Sequence, residues 1–171
     1  MKPDILQEDT WSFNDGQSII EQKGLLDELP TIAAAYTNYG GGNQYLHARS
    51  ELLDPLGWEQ EISVTFETTN DGESVSRRAS FDAYKDGVVV EHESGEQMRA
   101  NWHLMKMEIA HRDPTVFSDG RTADAGVLLI PSDVNFPTLG RTENDVQAVL
   151  EQYFDFSIPL FVWEYPTEID S

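Results

Sequence analysis

The feature that most constrains this chain is one stretch, Ser80-Phe81-Asp82-Ala83-Tyr84-Lys85-Asp86-Gly87-Val88-Val89-Val90-Glu91-His92-Glu93. Lys85-Asp86-Gly87 is a tight-turn signal, because Asp and Gly accept the backbone conformations that hairpin turns demand. Val88-Val89-Val90 follow at once, and β-branched residues favour extended backbone. The stretch therefore reads as two strands folded back on one another. Side chains alternate between the faces of a strand, so Glu91 and Glu93 project the same way and His92 the other. The hairpin brings Asp82 near Glu91, and three carboxylates gather at one end of a sheet. Such a group repels itself and loses hydration. A hard cation such as Mg²⁺ relieves both costs, because it takes oxygen ligands and needs only one or two carboxylates besides water and phosphate. On that reading Asp82 and Glu91 are direct ligands, and the backbone carbonyl of His92 is a third. Glu93 stands where a phosphodiesterase needs a group to orient or deprotonate the attacking water. With 31 acidic residues in 171, spacing of this kind also arises by chance, and a solvated acidic face is the plain alternative.

The rest of the chain supplies a frame. Gln17 to Tyr39 reads as helix, interrupted near Pro30, with Ile19, Ile20, Leu25, Leu26 and Leu29 as its apolar side. Gly40-Gly41-Gly42 closes it, and a short helix follows at Leu46 to Leu53, stopped by Pro55 and Gly57. Glu61 to Thr68 alternates as a strand. Asn70-Asp71-Gly72 turns it into a second strand over Val75 to Tyr84. Gly95 to Ala110 reads as a helix with Met98, Trp102, Met105 and Ile109 on the buried face. Arg99, His103 and Lys106 form a basic stripe one step round. Gly126 to Ile130 is a buried strand, a helix begins at Thr142, and Pro159 to Tyr165 is the last strand. Trp58, Trp102 and Trp163 read as core. The order predicts an α/β fold with a mixed central sheet flanked by helices. It forms one domain over residues 1–171: a helical part to about 58, then a core over about 59–165.

Charge qualifies this frame. The net charge is −20, which argues against a nucleic-acid partner on its face. Its distribution is uneven. Residues 1–76 carry 14 acids and 3 bases, residues 113–171 carry 11 and 2, and residues 77–112 carry six of each. An acidic shell around one neutral segment fits a protein adapted to high salt with a spared functional patch. At molar salt charges are screened within about 3 Å. A middle segment that is simply more buried explains the same pattern. There is no cysteine, no apolar run that could span a membrane and no signal-peptide core, so the expected location is the cytoplasm.

Three segments carry a resemblance. Phe81-Asp82, with Glu91-His92-Glu93-Ser94-Gly95 nine residues on, resembles the acidic motif of the BglII and BstYI group of type II restriction endonucleases. That group lies within the PD-(D/E)xK nuclease superfamily. Asp124-Ala125-Gly126-Val127-Leu128-Leu129-Ile130-Pro131 is similar to a later segment of that group, and Leu52-Leu53-Asp54-Pro55-Leu56-Gly57-Trp58 to an earlier one. The resemblance spans roughly 50–165, in a chain shorter and more acidic than members of that group. It implies a restriction-endonuclease-like core and Mg²⁺-dependent hydrolysis of double-stranded DNA at a specific site. By it Asp82 and Glu91 are metal ligands, Glu93 completes the catalytic set, and a homodimer matches a palindromic target. Arg77, Arg78, Ser94, Arg99, His103 and Lys106 become candidate DNA contacts. The alternative for the helical stripe is a solvated polar face, and for the arginines a charged edge strand. His111, Arg112 and Arg121 fall near a loop that could approach DNA, and Glu51 is a candidate extra carboxylate. Two other classes stay open: an acidic protein that mimics DNA or inhibits a DNA-binding enzyme, and a degenerate nuclease fold kept for binding DNA.

Overall fold

The computed structural model describes residues 10–39, 43–70, 72–93, 97–131 and 155–166, with the side chains of 68, 70 and 97–100 left aside. Strand β1 (Thr10–Phe13) leads into helix α1 (Gly16–Gln22), and after a short 3-10 turn helix α2 (Leu29–Tyr39) follows. The helical region thus breaks at Lys23-Gly24 and not at Pro30. Pro30 sits in the first turn of α2, where its missing N–H has no intrahelical partner to lose. Helix α3 (Leu46–Leu53) precedes the hairpin of β2 (Glu59–Asn70) and β3 (Glu73–Lys85). A second hairpin joins β3 to β4 (Val88–His92) through Asp86 (φ 50°) and Gly87 (φ 82°). Two positive φ angles in succession match the twist of the flanking strands, as the Lys85-Asp86-Gly87 signal required. Helix α4 (Gln97–Arg112), β5 (Ala125–Pro131) and β6 (Leu160–Tyr165) complete the order. Strand β1 was not anticipated. It is four residues long and is held by antiparallel pairing to β6. The expected helix from Thr142 lies outside the described residues.

The six strands form one mixed sheet in the order β1-β6-β5-β4-β3-β2. Strands β2, β3 and β4 run as an antiparallel meander, while β4, β5 and β6 are parallel. The alternation of side chains divides the core in two. Val88, Val90, Val127, Leu129 and Trp163 meet Ile20, Leu29, Ile32 and Tyr36 of α1 and α2. Val89, Leu128, Ile130 and Val162 meet Leu104, Met107 and Ala110 of α4. Strand β5 is buried on both faces, as its unbroken apolar run demanded. Among the described residues no helix is long and apolar enough to cross a membrane.

Helix α4 is turned from its expected setting. Met105 and Ile109 are exposed at 45% and 36%, and Leu104, Met107 and Ala110 face the sheet instead. Trp102 is half-buried, with Phe66 at its edge and Arg77 over its face. The basic stripe therefore points inward, at the acids. Glu108 fixes the helix to the start of β6 by accepting the N–H groups of Ser157 and Ile158 at 3.0 and 2.9 Å.

Candidate active site in a forked strand pair

Pairing between β3 and β4 runs from Lys85↔Val88 to Ala83↔Val90 and stops there. One step further the two strands present Asp82 and Glu91. The backbone ladder ends because a side chain takes its place: Asp82 Oδ2 accepts the His92 N–H at 2.7 Å. Strand β2 is distorted at the same level. Gln60 pairs with Ala83 and Ile62 with Phe81, so Glu61 lies opposite Asp82, and its φ is +52°. A non-glycine residue at positive φ costs free energy of order 1–3 kcal/mol, a strain that tends to gather at functional sites. The sheet thus forks at the level where the acids stand.

Glu91 of β4 and Glu93, one residue past its end, face α4, and both are nearly inaccessible, at 2% and 0%. Lys106 ion-pairs with Glu91 Oε1 and also donates to the Ser80 carbonyl on β3. His103 Nδ1 stands 2.7 Å from Glu91 Oε2, and its Nε2 stands 3.7 Å from Glu93 Oε2. His103 and Lys106 are three residues apart, so one helical turn delivers both to the acids. Expected as phosphate contacts, the two turn toward carboxylates instead, Lys106 buried and the His103 side chain 12% exposed. Burial of charged groups without partners is prohibitive, and α4 rotates to supply those partners.

Asp82 belongs to the same cluster. Desolvation first, and then the charge of Glu91, push its carboxyl up to about 7, and Glu61 adds to this. The opposing pull of the His92 N–H does not cancel them. Among the described residues no three side chains of His, Asp or Glu form a ready metal cage. The donor set still fits a magnesium-like ion, which binds through one or two carboxylates and keeps water and phosphate oxygens for its other positions.

His92 turns to the opposite face, as alternation required. Its ring stacks on Tyr36 at 5.5 Å between centroids, and Nε2 lies 2.5 Å from the Tyr165 hydroxyl. Desolvation pulls this imidazole down to about 4. The Tyr36 hydroxyl donates to the Asp82 carbonyl at 2.6 Å, which ties the aromatic face to the acidic one.

Arg77 and Arg78 lie in the exposed part of β3, and Arg77 caps Trp102 at 4.5 Å. Ser94 and the side chain of Arg99 lie outside the described residues. The remaining loop candidates are held by the protein itself. His111 Nδ1 meets the Ala123 carbonyl at 2.7 Å, Arg112 pairs with Glu108, and Arg121 forks onto Glu59 at 2.8 and 2.9 Å. Glu51 is exposed and lies 3.9 Å from His47, so α3 does not bring it to the acids. The residue that α3 does deliver is Arg49, fully buried, bonded to Gln60 at 2.8 Å and to Glu61 at 3.3 Å. Sequence reasoning missed Arg49 and Glu61. Arg49 is one of three bases among residues 1–76, and so rare a cation in so acidic a region was the available signal.

No known family model matches this chain, and no curated protein matches its sequence.

Proposed function

We propose that this chain is a magnesium-dependent nuclease that hydrolyses phosphodiester bonds of double-stranded DNA, in the manner the resemblance to the BglII and BstYI group implies. The observation that carries the reading is the fork. Asp82 stands opposite Glu91 where the ladder stops, crowded enough that its carboxyl binds a proton up to about pH 7. Two desolvated carboxylates held against their own repulsion are a hard donor pair. Asp82 and Glu91 would hold the cation, with the His92 carbonyl beside them. An ion held there would supply a water of lowered pKa and offset charge on the phosphoryl group.

The chain's own residues do the rest. Glu93 is the group for orienting the attacking water, and His103 braces both glutamates. The Asp82 carboxylate is kept in place by the His92 N–H, and Tyr36 anchors its backbone. A restriction-endonuclease-like core and a homodimer with one site per subunit belong to the same proposal. With His103 and Lys106 turned inward, Arg77 and Arg78 are the described candidates left for DNA phosphates.

The test is cleavage. Purified protein is incubated with plasmid and Mg²⁺ at low and at high potassium chloride. Discrete fragments are expected, and they are lost in Asp82→Ala and Glu91→Ala. Intact plasmid at both salts, with the protein folded, defeats the proposal. One observation favours a second reading, a degenerate nuclease fold that only binds DNA: Lys106 and His103 already pair with Glu91 and Glu93. Retention of plasmid without cleavage supports that reading. Neither cleavage nor retention, together with inhibition of a DNA-binding enzyme, supports an acidic mimic.

A further inference from the structure

We infer that the Lys106 ammonium is an internal stand-in for the divalent cation: it bridges the fork in the metal-free protein and is expelled when the cation binds. The inference rests on the reading of Asp82 and Glu91 as ligands.

Three observations carry it. Lys106 is a buried cation, 3% exposed, whose Nζ has one oxygen partner on each side of the fork, Ser80 on β3 and Glu91 on β4. It therefore links the two strands from the α4 side, beyond the level where their ladder stops. Next, both oxygens of Glu91 are engaged, Oε1 by Lys106 and Oε2 by His103. A doubly charged ion cannot share Glu91 Oε1 with an ammonium in contact with it, because like charges repel strongly where water does not screen them. Finally, the arrangement explains how the Glu91 carboxylate can be buried. A lone carboxylate there would carry a desolvation cost of several kcal/mol, and the ammonium removes it.

Lysine suits the part better than arginine would. Its charge is compact and rides on a flexible four-carbon stem, so it can leave without moving the helix. The Phe81 ring, its centroid 4.9 Å from Nζ, lies beside the ammonium. The exchange makes metal affinity weaker than the ligands alone would give, because binding includes the work of displacing Lys106.

The experiment uses the full chain freed of metal. Mn²⁺ is titrated by calorimetry into the wild type, Lys106→Gln, Lys106→Met and Asp82→Asn, with circular dichroism to verify folding. In parallel, acetylation of Lys106 by an amine-reactive reagent is followed by mass spectrometry with and without Mn²⁺. Lys106→Gln is expected to bind Mn²⁺ at least tenfold more tightly than the wild type, and Asp82→Asn to lose binding. Wild-type Lys106 is expected to be protected without Mn²⁺ and to react several-fold faster at saturation. Lys106→Met answers the same question should Lys106→Gln not fold. Equal or weaker Mn²⁺ binding in the folded Lys106 variants overturns the stand-in role and leaves the nuclease reading intact. So does Lys106 reactivity that Mn²⁺ does not change. No Mn²⁺ binding by any of the proteins defeats both.

Discussion

Strand β4 has two faces, and they solve the burial of ionisable groups in opposite ways. Toward α4 stand Glu91 and, just past the strand's end, Glu93, each beside a basic partner from one helical turn. Toward α2 it presents the His92 ring, enclosed by the rings of Tyr36 and Tyr165 and facing the Tyr165 hydroxyl. Desolvation acts on both faces with one rule: it disfavours the charged form. It therefore pushes the Asp82 acid up to about 7 and pulls the His92 base down to about 4. The acidic face is matched by basic side chains from α4, while the aromatic face keeps a neutral ring and needs none.

The sharpest way to break this contrast is Glu91→Ala. It leaves the Lys106 ammonium buried without its carboxylate, and a loss of about 3–5 kcal/mol is expected in denaturant unfolding of the metal-free protein. DNA cleavage should vanish with it. An unchanged unfolding midpoint would show that the pair is not sealed from water.

The next effect is a slope with pH. Asp82 binds its proton more tightly folded than unfolded, moving from 3.8 to about 7. Its contribution is therefore complete below pH 4 and is lost as pH rises to about 7. The difference is at most about 4 kcal/mol, less what solvent screening removes. Asp82→Asn should abolish this fall and leave stability rising with pH, the slope of His92 alone, in a series of unfolding curves from pH 4 to 8. A wild-type protein whose steepness matches the variant's over that range would contradict the raised carboxyl.

His92 gives the mirror image. Its imidazole moves from 6.5 to about 4 on folding, so its contribution is complete above 6.5 and is lost as pH falls to about 4. The loss is at most about 3 kcal/mol with the same discount. The two slopes oppose one another in one window, and the wild type should be flatter than either variant. His92→Phe should uncover the Asp82 slope, while at pH 8 it costs only the bond to Tyr165, about 1 kcal/mol. Tyr165 keeps its contact with Thr37 at 2.7 Å. Smallest of all, Arg77→Ala should cost about 0.5–1 kcal/mol for the lost stacking on Trp102. A larger loss of DNA affinity than of stability in that variant would mark Arg77 as a phosphate contact.

Much of the frame was legible in the residues. The Asp86-Gly87 turn, the triple valine and the alternation at Glu91-His92-Glu93 yielded the hairpin, the facing of the acids and the seclusion of His92. These are local properties, decided by backbone preference and by a period of two. Helix α4 shows where that reasoning ends. Met105 and Ile109 looked like a buried stripe and Lys106 like a surface charge, yet the two exchange places. Apolar spacing states which residues could face a core, while two buried glutamates state which must face them. That demand outweighs a pair of apolar side chains, because an unpaired buried charge costs more than an exposed methylene group.

The neutral segment 77–112 carries the same lesson. Three of its six bases are paired with the protein's own acids, Lys106 with Glu91, Lys85 with Glu28 at 2.8 Å and Arg112 with Glu108, while Arg77 and Arg78 are exposed. Composition could count six acids and six bases there but could not pair them. The residues by themselves determined two hairpins, a strand buried on both faces and three acids directed to one end of a sheet. Only the tertiary structure decided that the ladder forks at Asp82, that Glu61 and Arg49 reach that level, and that α4 turns its cations inward. Pairing of buried charge depends on distances between elements remote in the chain, and no local preference encodes such distances.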